Sequence, residues 1–318
     1  MVREKPEVVV IGGGTGLPVL LKGLKNYPIH LTALVTVADD GGSSGGIRQQ
    51  FNIPAPGDIR NVITALSEAD EELLQLLQHR FNTGNGLSGH SVGNILLAAL
   101  TELKGSFSEG IKELSEVFRV KGKVYPMTNE SISLIAEMED GSIINGESNI
   151  PLAKKKINHL YLGPGKVVPI PEVIESIEEA DFIVISPGSL YTSIMPNLII
   201  PQINDAFKQS KAHFIYVCNI MTQEGETSNY KASDHIRAIN KHVGKNLIRS
   251  IIVNNGTIKE EVIRNYDKEN STIVISDLEE LAKLNLNVIE DDIVSYSKGM
   301  VRHNTYKVAE IIYQLMNP

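Results

Sequence analysis

The chain is poor in the residues on which stapled, ring-lined or membrane-spanning proteins depend. Its one cysteine, Cys218, rules out a disulfide within the chain and suits a reducing compartment. In "HFIYVCNIM" that thiol reads as a small apolar core residue rather than a reactive one. Tryptophan is absent and aromatic residues make up 5%, which weakens any stacking platform built from many rings. No segment approaches the roughly 20 apolar residues that cross a bilayer. The N-terminal run "EVVVI" is too short for a signal-peptide core and passes straight into glycines. Basic residues are outnumbered, 30 against 38 acidic, for a net charge of −8. That balance argues against a nucleic-acid backbone as partner. The expectation is a soluble, cytoplasmic protein with no membrane span. Repeats, heptads, low-complexity tracts and Pro/Gly/Ser linkers are also missing, so residues 1–318 are expected to form one α/β domain.

What is present is an alternation of buried strands and amphipathic helices. "EVVVI" (Glu7–Ile11) and "LTALVTV" (Leu31–Val37) are β-branched runs. Between them "GLPVLLKGLKNY" sets Leu17, Leu20, Leu21 and Leu24 on one helical face. Strand, glycine turn, helix and strand make a βαβ unit with a parallel pair and a right-handed crossover. Helices are expected at "GDIRNVITALS", with Asp58 at or near its start, and at "EELLQLLQHRF" and "NILLAALTEL". Roughly Gly122–Leu162 then alternates and turns at Asp140-Gly141, which predicts a β-rich antiparallel insertion at about 122–162. The α/β pattern resumes with strands at "DFIVIS", "HFIYVCN", "SIIVNN" and "STIVIS", and the chain ends in the amphipathic helix "NTYKVAEIIYQLM". The fold expected is Rossmann-like: a mostly parallel sheet flanked by helices, with a small antiparallel insertion.

Polar, glycine-rich loops follow these strands. "IGGGTGL" (Ile11–Leu17) joins strand to helix, where Gly12, Gly13, Gly14, Thr15 and Gly16 offer close backbone approach and a helix start suited to an anion. It is neither a G-x-x-x-x-G-K-[ST] loop nor a strict G-x-G-x-x-G, since Leu17 stands where the last glycine belongs. In "ADDGGSSGGIRQQFNIPAPGDIRN", Asp39 and Asp40 suit a ribose hydroxyl or Mg²⁺, and an ordinary Asp-Gly turn is the rival reading. Ser43 and Ser44 add hydroxyls, and Arg48 suits a bidentate phosphate contact. Arg60 is a candidate for a structural ion pair instead. "GHSVG" (Gly89–Gly93) has the G-x-S-x-G spacing of a hydrolase elbow but lacks the strand that must precede it. Its better reading is a helix start from which His90, Ser91 and Asn94 face a ligand. "SPGSLYTSIMPN" repeats the first loop's physics with Gly188, Ser189, Tyr191, Thr192 and Ser193, and simple N-capping by Ser189 is the rival. Asn219, Thr222 and Gln223 of "CNIMTQEGET" suit a base or hydroxyls, while Lys298 and Arg302 of "SKGMVRHNTYK" could close over a negative ligand. Each loop follows a strand's carboxyl end, the edge where parallel sheets gather ligands.

Taken together, "VVVIGGGTGL", "VTVADDGGSSG", "PAPGDIRN", "LSGHSVGNILLAAL", "PGSLYTSIMPNL" and "YVCNIMTQEGET" resemble the gluconeogenesis factor family. That family is similar to the CofD-type 2-phospho-lactate transferases. The resemblance implies a Rossmann-like fold with a nucleotide-phosphate pocket. It implies a cytoplasmic bacterial protein needed for cell shape and wall synthesis on gluconeogenic carbon sources, acting with an unidentified wall-synthesis or regulatory protein. It also implies binding of UDP-sugars, chiefly UDP-N-acetylglucosamine. The residues it carries over are Gly12–Gly16, Asp39, Asp40, Ser43, Ser44, Gly188, Ser189, Tyr191, Thr192 and Asn219. The transferases use a deazaflavin acceptor and a guanylyl-activated lactate. The "GGSSG" and "GHSVGN" runs here resemble the gluconeogenesis branch instead. Three functions stay open at this point: a nucleotide-sugar sensor, a transferase with Mg²⁺ on Asp39 or Asp40, and a nicotinamide dinucleotide binder.

Overall fold

A computed structural model describes residues 5–84 and 86–317. Seven strands form one parallel sheet: β1 (Glu7–Gly12), β2 (His30–Val35), β3 (Lys123–Pro126), β7 (Phe182–Ile185), β8 (His213–Val217), β9 (Ser250–Asn254) and β10 (Asn287–Asp291). Their spatial order is β10-β9-β8-β7-β1-β2-β3. The chain lays strands outward from β1 on one side, then returns to β7 and lays strands outward on the other. The order therefore reverses between β1 and β7, the place where open α/β sheets bind ligands. A parallel sheet covered on both faces needs strands that are apolar throughout. Val8, Val9, Val10 and Ile11 of β1, and Ile183, Val184 and Ile185 of β7, are all buried.

Helix α1 (Gly16–Leu24) turns Leu17, Leu20, Leu21 and Leu24 into the core, as its spacing predicts. Its Gly23 lies against the final helix, Thr305–Met316, where a Cβ would press on the Thr305 carbonyl at 2.6 Å. Helices α2 (Gly42–Phe51) and α3 (Gly57–Leu66) follow β2. A second sheet, antiparallel, holds β4 (Ser133–Met138) between β5 (Ile143–Asn145) and β6 (Ile157–Gly163), and β11 (Val294–Ser297) pairs with β12 (Met300–His303).

Three expectations change. Lys123–Pro126, read with the antiparallel region, pairs parallel with β2 and forms the edge of the main sheet. Pro126 is tolerated there because an edge strand leaves one row of N–H groups unpaired. "STIVIS" makes only an isolated bridge, Ile273 to Met221, and leaves Ile275 exposed. The last strand of the main sheet is instead β10, whose "NVIED" is too polar to read as a buried strand but pairs with β9 from Asn287 to Asp291.

Candidate functional site

The register sets the site. Ile11 lies beside Ile185, so the two chains leave the sheet together, and the Ser186 amide donates to the Ile11 carbonyl at 2.9 Å. The two glycine turns therefore open side by side. Glycine is required where they touch: a Cβ on Gly16 would overlap the Pro187 carbonyl, and one on Gly12 would overlap the Ser186 hydroxyl. Gly14 takes φ +60°, which a side chain would strain.

Beyond these turns lies a crevice of about 350 Å³. Thr15 and Gly16 supply one wall, Gly188 and Ser189 a second, Asn219 and Thr222 a third. Tyr266, Met300, Arg302 and His303 close the far side. Of the sequence candidates, eight meet here: Thr15, Gly16, Gly188, Ser189, Asn219, Thr222, Gln223 and Arg302. Asn219 pins the second turn by accepting from the Gly188 amide at 3.1 Å and donating to its carbonyl at 2.8 Å. Ser189 donates to the Gln223 amide oxygen at 2.7 Å rather than capping a helix. Thr222 is held through its hydroxyl by the Thr272 amide. Burial pushes the His303 imidazole down to about 4. It is neutral at physiological pH, with Nε2–H donating to the Cys218 carbonyl at 3.0 Å. Cys218 itself is buried, and its thiol is pushed up to about 12 by that burial, so it is unreactive.

Several candidates are scaffold rather than wall. Tyr191 and Thr192 are 2% and 3% exposed. Their amides, expected to meet an anion, donate instead to Glu226 at 3.0 and 3.2 Å, and the Thr192 hydroxyl donates to the same carboxylate at 2.9 Å. Glu226 thus fills the start of the π-helical turn Leu190–Ile194 from inside the protein. Its burial raises its pKa against the pull of these three donors. The Tyr191 hydroxyl pairs with that of Tyr230 at 2.7 Å. Nothing in "TQEGET" marks Glu226 as an internal cap; only the approach of the next strand's loop does.

The first turn carries the same device. Asp58 sits in the first turn of α3, whose N-cap is Pro56, and does not cap that helix. Its Oδ2 accepts from the Gly14 amide at 2.7 Å. Burial, opposed by the Gly14 bond and reinforced by the charge of Asp39, lifts Asp58 to about 6.

Asp40 and Arg48 mount the antiparallel sheet. Asp40 accepts from the Glu147 and Ser148 amides at 2.9 and 3.0 Å. Arg48, expected on phosphate, donates to the hydroxyls of Ser131 and Ser133. Both residues line a separate cleft of about 410 Å³ against that sheet. Glu147 is brought over the scaffold by this mount; burial, then the charges of Asp39, Glu226 and Asp40, push its carboxyl up to about 8.

Ser43, Ser44, Asp39, Asp58 and Asn94 line a third cleft, beside α2 and α3. Ser91 caps the Val92–Lys104 helix through the Asn94 amide. Asn94 is 1% exposed and donates to Ser43 at 3.0 Å, while His90 meets the same hydroxyl at 3.2 Å. The helix-start reading of "GHSVG" holds. Ser91 lines none of these three clefts and bonds Arg60 inside the protein, while Asn94, at the wall of the third cleft, bonds Arg60 and Ser43.

The chain matches the family of 2-phospho-L-lactate transferase CofD over residues 8–294. It is 50% identical over 313 residues to the gluconeogenesis factor of Bacillus subtilis, covering 98% of this chain and 99% of that one. The chain belongs to the gluconeogenesis factor family, within the CofD-like fold. The gluconeogenesis factor of Halalkalibacterium halodurans is 52% identical, over 98% of this chain and 97% of that one. A crystal structure of a Bacillus halodurans protein superposes with a TM-score of 0.95 at 52% identity, over 98% of this chain and all of that one. No helix among the described residues is long and apolar enough to cross a membrane.

Proposed function

We propose that this family member is a cytoplasmic gluconeogenesis factor that binds a UDP-sugar, UDP-N-acetylglucosamine in the first instance, and couples its level to wall synthesis and cell shape on gluconeogenic carbon sources. The observation that carries the reading is the crevice at the β1/β7 reversal, into which both glycine turns open side by side. The diphosphate would lie against the turn backbones at Thr15–Gly16 and Gly188–Ser189, with Arg302 as countercharge. The base and sugar would occupy the wall formed by Asn219, Thr222 and Tyr266. A neutral His303 suits a hydrogen bond to a hydroxyl or base edge better than a second phosphate charge.

Mg²⁺ belongs to this proposal. Mg²⁺ binds through one or two carboxylates together with phosphate oxygens and water, and the residues fit. Asp39 and Asp58 line one cleft, close enough for the charge of Asp39 to raise Asp58, while Asp58 also touches the first turn. A bound ion would screen these two carboxylates from the diphosphate. Asp40, with both oxygens on amides of the antiparallel sheet, is the weaker candidate.

Calorimetry with UDP-N-acetylglucosamine, with and without Mg²⁺, tests the reading. Arg302→Ala should weaken binding about tenfold, the scale of one lost charge-assisted contact. Absence of heat at millimolar ligand in both conditions refutes it. The second reading, a CofD-type transferase, is favoured by the family match and the Asp39–Asp58 pair. Mass spectrometry of a deazaflavin acceptor incubated with guanylyl-activated lactate distinguishes it. NADH fluorescence titration tests the remaining dinucleotide reading.

A further inference from the structure

The third cleft, about 360 Å³ between α2, α3 and the Val92–Lys104 helix, holds a feature that nucleotide binding does not use. Two guanidinium groups, Arg60 and Arg80, line it. Arg60 is 8% exposed. Its bonds go to the Ser91 hydroxyl and to the amide oxygens of Asn94 and Asn61, and Arg80 bonds the Gly89 carbonyl. Among the described residues every one of these partners is uncharged, and the buried Nε of Arg60 has no partner at all. A buried cation is ordinarily paired, because removing it from water without a counterion costs several kcal/mol. After burial itself, the charge of Arg80 is the largest influence lowering the pKa of Arg60, and the charges of Asp58 and Asp39 offset it in part.

The same cleft receives the start of α2. That helix has no side-chain cap and no acidic residue in its first turn. Gly42 stands there at φ +45° with open space where a Cβ would be, so a ligand can approach the backbone closely. Two carboxylates also line the cleft. Asp58 turns its Oδ2 to the Gly14 amide and Asp39 turns its Oδ1 to the Gly41 amide, so neither neutralises an arginine directly.

We propose that Arg60 and Arg80, with the open start of α2, bind a phosphate group at a site separate from the β1/β7 crevice. Two guanidiniums on one cleft match a dianionic, tetrahedral group better than a single carboxylate, because two positive charges meet two negative ones and the Arg60 Nε–H and the free N–H groups of Arg80 remain to donate. The ligand class is a phosphorylated small molecule, either an effector or a second substrate. Asp58, which touches the first turn and lines this cleft, lies between the two sites. The proposal does not depend on the nucleotide reading.

Titration calorimetry with inorganic phosphate, in a phosphate-free buffer, is the test. Arg80 is largely exposed, so Arg80→Gln should fold normally. It should weaken phosphate binding about tenfold, the scale of one charge-assisted pair, and leave UDP-N-acetylglucosamine titrations as they are in the parent. Arg60→Lys should weaken phosphate binding further if the protein stays folded. Acetate should bind at least about tenfold more weakly than phosphate, lacking the second charge and the tetrahedral geometry. The proposal is overturned if phosphate fails to bind, if Arg80→Gln binds it as the parent does, if acetate competes equally, or if Arg302→Ala abolishes phosphate binding while Arg80→Gln spares it.

Discussion

Asp58 is the residue whose perturbation says most about how the first turn is built. Its carboxyl is buried, and burial outweighs the Gly14 hydrogen bond to hold it at about 6, up from an ordinary 3.8. A rise of that size corresponds to about 3 kcal/mol. The sign follows from proton counting. Between pH 4 and 6 the folded protein holds a proton on Asp58 that the unfolded chain has released. Stability from this residue is therefore fully present below about pH 4 and is lost as pH rises through 6. Asp58→Asn keeps an acceptor for the Gly14 amide and removes the ionisation. The Gly14 bond is already counted in the net rise, and the parent's carboxyl is protonated in the folded protein at pH 4. The variant should therefore match the parent near pH 4 and be about 3 kcal/mol more stable by pH 7.5. Urea denaturation of both proteins at several pH values, compared as a difference so that other titrating groups cancel, reads this directly. A difference that stays flat across that range means that Asp58 titrates like a solvated carboxylate, and the account of the first turn is then wrong. Mg²⁺ with UDP-N-acetylglucosamine should shrink the parent's deficit at pH 7.5, because a cation beside Asp58 stabilises its ionised form.

Other outcomes follow from the same geometry. Glu226→Ala strips three donors of their buried acceptor and should cost about 3 kcal/mol, with Glu226→Gln recovering part of it, both read as shifts in denaturation midpoint. Asn219→Ala frees the Gly188 peptide and should lower UDP-N-acetylglucosamine affinity about tenfold while melting temperature falls by only a few degrees; unchanged affinity would show that the second turn needs no pin. Arg48→Ala removes the bonds to Ser131 and Ser133 and should speed limited proteolysis within residues 128–165, read by mass spectrometry of the fragments.

The sequence by itself determined the alternation that makes the parallel sheet. β-branched runs between glycine turns and leucine-striped helices are local patterns, and local patterns survive without knowledge of partners. It also located the glycine turns, because a glycine that must admit another backbone stands out in the chain: Gly12 and Gly16 abut Ser186 and Pro187. β10 escaped because an edge strand needs only half its side chains buried, and "NVIED" shows little apolar content. "STIVIS" misled for the opposite reason, since apolar content alone does not supply a neighbouring strand with free hydrogen bonds.

Only the tertiary structure decided which polar groups face a ligand and which face each other. Tyr191, Thr192, Asn94 and Arg48 have the right chemistry for a binding wall, yet each is spent on an internal partner that arrives from 34 to 85 residues away in sequence. Conversely, Arg60 looked like one half of an ion pair, yet its hydrogen bonds go to uncharged partners and Asp58 and Asp39 act on it only through their charge. The physical reason is common to all of them. Whether a hydroxyl, amide or charge is satisfied depends on what long-range packing brings within 3 Å of it, and residue type alone carries no record of that distance.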